Sequence, residues 1–124
     1  MIVTYIVAAL AVVMLVGLSL NVSLRRAATQ IEAGDGGDEM LRRRIRAQGN
    51  FTEYAPLGVI VLMLAEGAGS PGWASVTIGT LLIVGRILHA AGMLNNITPL
   101  RAAGMLMTFG ALLGGAAALI AAAL

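Results

Sequence analysis

Seven side chains in this sequence have the type and spacing to hold a charged solute. Arg42, Arg46, Asn50 and Glu53 follow one another by four, four and three residues, so on a helix they share one face. Arg86 and His89 lie one turn apart, and Arg101 follows after a short polar break. Arginine offers planar donors that match carboxylate and phosphate oxygens. An asparagine amide donates or accepts, and a glutamate accepts from an ammonium group. Together these groups suit a small anionic or zwitterionic solute.

Simpler roles exist for the same residues. Arg42, Arg43 and Arg44 can anchor lipid headgroups. Glu53 and Arg86 can form a buried ion pair that fixes two helices instead of contacting a ligand. His89 can serve as a structural hydrogen-bonding residue. For Arg46 and Asn50 a ligand role and a structural one are evenly balanced. A chain with no cysteine and one histidine gives no reason to invoke a metal.

The elements that must position these groups are membrane spans. Of 124 residues 59% are apolar and 11% charged, which is outside the range of soluble domains. The basic residues are all arginines, and they are interrupted by apolar spans. Their excess over the acids, a formal net charge of +2, is too small to indicate a nucleic-acid binder. The expected fold is an all-α integral membrane protein, one domain over 1–124, with helices at about 2–24, 41–67, 73–94 and 100–123. The first run lacks the basic start and short apolar core of a cleaved signal peptide. Asp38 is placed to cap the second helix, and Pro56 frees the carbonyl of Thr52 within it. Gly110 and Gly114 have the spacing that permits close helix contact.

Arginine also sets orientation. Arg25, Arg26, Arg42, Arg43, Arg44 and Arg46 flank the first loop, and Arg101 follows the third, while the second loop has none. The excess predicts that loops one and three are cytoplasmic and that both termini lie outside. Arg25, Arg46, Asn50, Glu53, Arg86, His89 and Arg101 then fall in one half of the membrane.

The run Arg46-Ala47-Gln48-Gly49-Asn50-Phe51-Thr52-Glu53-Tyr54-Ala55-Pro56 resembles the MAPEG family, the membrane-associated proteins of eicosanoid and glutathione metabolism. It matches the second helix of the leukotriene C4 synthase-like members. Arg25 is in register with an arginine that ends helix one in that group. Arg86-Ile87-Leu88-His89 and Pro99-Leu100-Arg101 are similar to motifs of the prostaglandin E synthase-like branch. The Gly34-Asp35-Gly36-Gly37 loop and short chain are similar to small bacterial inner-membrane members. Family enzymes often carry tyrosines late in helix three, where this chain has Ala90-Ala91-Gly92-Met93.

The resemblance implies a homotrimer in the bacterial inner membrane that binds glutathione as co-substrate between subunits, near the cytoplasmic face. Arg25, Arg46, Asn50, Glu53, His89 and Arg101 match glutathione-contacting positions, with Gln48 and Arg86 as further candidates. Arg101 would lie near the sulfur and favour the thiolate, the competent nucleophile. The implied activity is a glutathione-dependent transferase or peroxidase acting on hydrophobic small molecules that enter from the lipid. The alternative is a non-catalytic membrane protein that binds lipid or small anions in the same arginine-rich cavity. A small multidrug transporter would need an acid in helix one, which has neither Asp nor Glu.

Overall fold

Apolar runs of this length leave the backbone one way to satisfy its polar groups in lipid, which is to coil into helices. The computed structural model describes all 124 residues, in four helices and no strands. They are α1 (Ile2–Thr29), α2 (Glu39–Gly67), α3 (Gly72–Leu94) and α4 (Thr98–Ala123). Three of them, α1, α3 and α4, are long and apolar enough to cross a membrane. The remaining helix, α2, is the longest, but arginines fill its first turns. At 1.5 Å per residue its 29 residues exceed a hydrocarbon core of roughly 30 Å, so the charged end projects beyond the lipid.

In the packing α2 and α3 each touch the other three helices, while α1 and α4 do not meet. One apolar layer joins Val7, Leu62, Ile78, Leu82 and Ala111, and a second joins Leu18, Ala47, Phe51, Ala55 and Ala90. Much of the remaining apolar surface faces outward, Val13, Leu24, Leu106 and Leu113 among it. A water-soluble monomer rarely exposes this much, whereas lipid solvates it without cost.

The most extensive helix pair is α3 with α4. It is brought together by Gly85 and Gly104, not by Gly110 and Gly114. A Cβ on Gly104 would meet the Gly85 carbonyl oxygen at 2.6 Å, and one on Gly85 would meet the Gly104 oxygen at 2.9 Å. Hypothetical Cβ atoms at Gly110 and Gly114 find only side-chain carbons of Leu81 and Ile78, at 3.7 and 3.8 Å. Toward the far end the two helices part over an apolar groove that Gly110 and Gly114 line.

The helix ends differ from the sequence expectation in ways that side chains explain. Arg25 and Arg26 do not stop α1, which continues to Thr29 and ends on Gln30 in the left-handed region. Arg25 donates through Nε and Nη2 to Asp38, at 3.2 and 2.6 Å. Arg26 Nη1 donates to the carbonyls of Ile31 and Gly34, folding the loop back on the helix. Asp38 also accepts from the Leu41 amide at 2.6 Å, the expected cap, so α2 begins at Glu39. Pro99 in the first turn lets α4 start at Thr98. The helix α2 is unbroken through Pro56. At its other end, Glu66 accepts from the amides of Val3 and Thr4 and from the Thr4 hydroxyl, closing the start of α1.

Candidate functional site

Where the charged turns of α2 meet the end of α3 and the start of α4, the helices line an open cavity of about 500 Å³. The size is that of a small-molecule site. From α2 come Glu39, Arg42, Arg43, Arg46 and Asn50, one polar stripe produced by the three- and four-residue spacing. His89 and Met93 come from α3, Asn96 from the connection, and Thr98, Arg101, Ala102 and Met105 from α4. The first turn of α4 adds free backbone amides and the positive end of its dipole to that side.

The arginines are not equivalent. Arg42 donates through Nε and Nη2 to Glu39 at 2.8 and 3.0 Å, and Arg43 Nε donates to the same carboxylate at 2.9 Å. These bonds, that from Arg42 foremost, hold the Glu39 carboxyl down to about 2. Glu39 is therefore ionised throughout the physiological range and offsets one of its two arginines. Arg46 and Arg101 have no carboxylate partner in the chain. The cavity thus carries four guanidinium groups and one carboxylate.

Below the cavity, α3 contributes a buried cation. Arg86 is 1% exposed. Its Nε donates to Thr108 Oγ1 at 3.0 Å and its Nη1 to Asn50 Oδ1 at 2.6 Å. Its Nη2 reaches the Met105 sulfur at 3.3 Å, and its guanidinium carbon lies 5.4 Å from the Tyr54 ring centre. Arg86 and Glu53 do not pair. Glu53 is exposed on the outward face of α2, about 21 Å along the helix from Glu39.

The sequence-derived candidates therefore separate into groups. Arg46, Asn50, His89 and Arg101 line one cavity. Arg86 lies behind it and touches it through Asn50 and Met105. Gln48 points to α1, where its Nε2 donates to Ser19 at 3.0 Å. Arg25, on α1, is held by Asp38 at the end of the first loop, and Glu53 lies outside the cavity within a single chain. Glu39 and Thr108 were not singled out by sequence reasoning. Glu39 had a signal, since it precedes Arg42 and Arg43 by three and four residues. Thr108 follows Arg101 by two helical turns, but only packing reveals what it holds.

The model of the MAPEG family matches residues 3–121 of the chain. Inner membrane protein YecN of Escherichia coli strain K12 is 32% identical over 106 residues, which is 86% of this chain and 81% of that protein. YecN of Escherichia coli O6:H1 matches with the same identity and coverage.

Proposed function

Since the chain belongs to the MAPEG family, we propose that it is a membrane-bound, glutathione-dependent transferase or peroxidase acting on lipophilic electrophiles. One observation carries this reading: Arg46 and Arg101 line a cavity of about 500 Å³ with no carboxylate of their own to neutralise them. A tripeptide with two carboxylates has the size and charge to occupy it. When bound, glutathione supplies a thiolate that bonds to an electrophilic carbon as the leaving group departs with its electron pair, the thiol proton passing to solvent. Arg46 pairs with a carboxylate, and Arg101 lies near the sulfur and favours its ionised form. Asn50 donates to the peptide, and α4 bounds the site toward lipid.

The ammonium group needs an acceptor that one chain lacks inside the cavity, because Glu39 is committed to Arg42 and Arg43. Glu53 is the acceptor the family resemblance implies. Its exposed carboxylate at membrane depth supports a homotrimer in which a neighbouring copy covers it. The same excess of arginine on loops one and three supports cytoplasmic loops and external termini.

Calorimetry with glutathione on detergent-purified protein, paired with conjugation of a generic aryl halide, tests the reading. Binding and turnover are expected. Neither, in a protein that stays folded and assembled, sinks it. The lack of a free ammonium acceptor in the cavity of one chain also favours a second reading, a non-catalytic protein that binds anionic lipid or another anion without an ammonium group. Native mass spectrometry separates the two by what co-purifies.

A further inference from the structure

We propose that Arg86 is a positioning residue that turns the Asn50 amide donor-side toward the cavity, making this wall of the site selective for anions. The inference rests on reading the cavity as an anion site and adds a residue that does not itself line it.

A primary amide can present either its oxygen or its nitrogen to a ligand, and a flip exchanges them. At Asn50 the choice is made by chemistry. Guanidinium has no acceptor, so the atom that meets Arg86 Nη1 at 2.6 Å must be the oxygen. The Asn50 backbone carbonyl accepts from the same nitrogen at 3.4 Å, drawing the residue against Arg86. What Asn50 retains is Nδ2, which has no partner in the chain, on a residue that lines the cavity. Two hydrogens are therefore left for an anion, while the oxygen that could serve a cation is turned to Arg86.

Arg86 can act in this way because it cannot turn. Thr108 holds Nε from α4, the Met105 sulfur occupies Nη2, and the Tyr54 ring lies over the guanidinium carbon at 5.4 Å. The group is 1% exposed, and no carboxylate of the chain meets it. A buried cation left without an anion is costly. An anion in the cavity, one amide away, adds attraction that a neutral or cationic ligand would not.

The test uses full-length protein in detergent, with glutathione and inorganic phosphate as separate calorimetric probes. Arg86→Met frees the amide to flip. It is expected to weaken both probes on the order of tenfold, the equivalent of one hydrogen bond to a charged group. Arg86→Lys, which still donates to the Asn50 oxygen, is expected to recover most of that loss. A purely structural Arg86 would lower the unfolding temperature in Arg86→Met while the folded fraction bound both probes as before, which overturns the proposal. Should Arg86→Met not fold, Asn50→Asp decides. It pairs with Arg86, so its unfolding temperature should equal or exceed the native one, while both affinities fall. Unchanged affinity in folded Asn50→Asp overturns the proposal. Native protein that binds phosphate but not glutathione removes the glutathione reading, and the variants are then read on phosphate. Binding of neither overturns both.

Discussion

Gly104 stands against Gly85 so closely that a Cβ on Gly104 would come within 2.6 Å of the Gly85 carbonyl oxygen. The obstacle is backbone on the facing helix, which cannot swing aside as a side chain can. Gly104→Ala is therefore expected to force α3 and α4 apart, at about 1–3 kcal/mol of stability. Gly114→Ala, whose new methyl would find its nearest neighbour at 3.8 Å, is expected to be tolerated. Thermal unfolding of the two variants in detergent compares them, and equal unfolding temperatures would refute the difference.

Thr108 carries two bonds with one hydroxyl, accepting from Arg86 Nε at 3.0 Å and donating to the Gly104 carbonyl at 2.8 Å. Thr108→Val keeps the shape and removes both. The buried guanidinium nitrogen then has no partner, at a cost of about 1–3 kcal/mol. Chemical denaturation should register that loss, with the helix content at neutral pH unchanged by circular dichroism.

Arg101→Gln and Arg46→Gln each remove an uncommitted cation from the cavity. If glutathione is the ligand, each should lose on the order of tenfold in affinity. Glu39→Gln should act in the opposite direction, because it releases Arg42 and Arg43. Arg26→Gln, whose charge is directed at loop carbonyls, should leave affinity unchanged. Calorimetric titration of the four variants provides the comparison, and an ordering that ignores charge would refute the assignment.

Acid should loosen the joint between α1 and α2. The Arg25 guanidinium first, and the Leu41 amide second, hold the Asp38 carboxyl below its ordinary value. A depressed folded pKa stabilises the fold above the unfolded value of about 3.9, and this contribution disappears as pH falls through the lower folded value. Asp38→Asn is expected to be less stable than the native chain at pH 7. The gap between the two unfolding temperatures should narrow as the pH falls well below 3.9.

The four helices and their order were legible because apolar runs separated by Gly, Pro, Asn and Arg admit few other readings. The stripe of Arg42, Arg46 and Asn50 was legible from spacing, and it lines the cavity as a stripe. Glu53 belonged to the same stripe on paper. Three residues turn a helix through about 300°, so Glu53 falls about 60° back from Asn50, toward the outward side. The sequence contains that rotation but not the direction of the bundle axis, which alone decides what it means. Arg25 illustrates a different limit. Its partner Asp38 lies across a loop whose path depends on Arg26 meeting the carbonyls of Ile31 and Gly34, contacts with no sequence signature. The close approach of Gly85 and Gly104 was hidden among sixteen glycines, since only the facing helix distinguishes a spacer from a bystander.

Carboxylates secure α1 at both tips: Glu66 grips Val3 and Thr4 at one end, and Asp38 grips Arg25 at the other. Toward the Asp38 end Gln48 and Arg44 also donate to Ser19 and Asn21, but at its middle α1 leans on its neighbours through apolar contacts over a shallow groove where Ala11 and Leu15 face Phe51 and Pro56. Mechanically this is a beam pinned at its supports and unbraced at midspan. Sideways load at the centre bows such a beam without unseating either end, so the α1–α2 seam is the compliant one in the bundle. The α3–α4 seam, backbone against backbone at Gly85 and Gly104, is the stiff one.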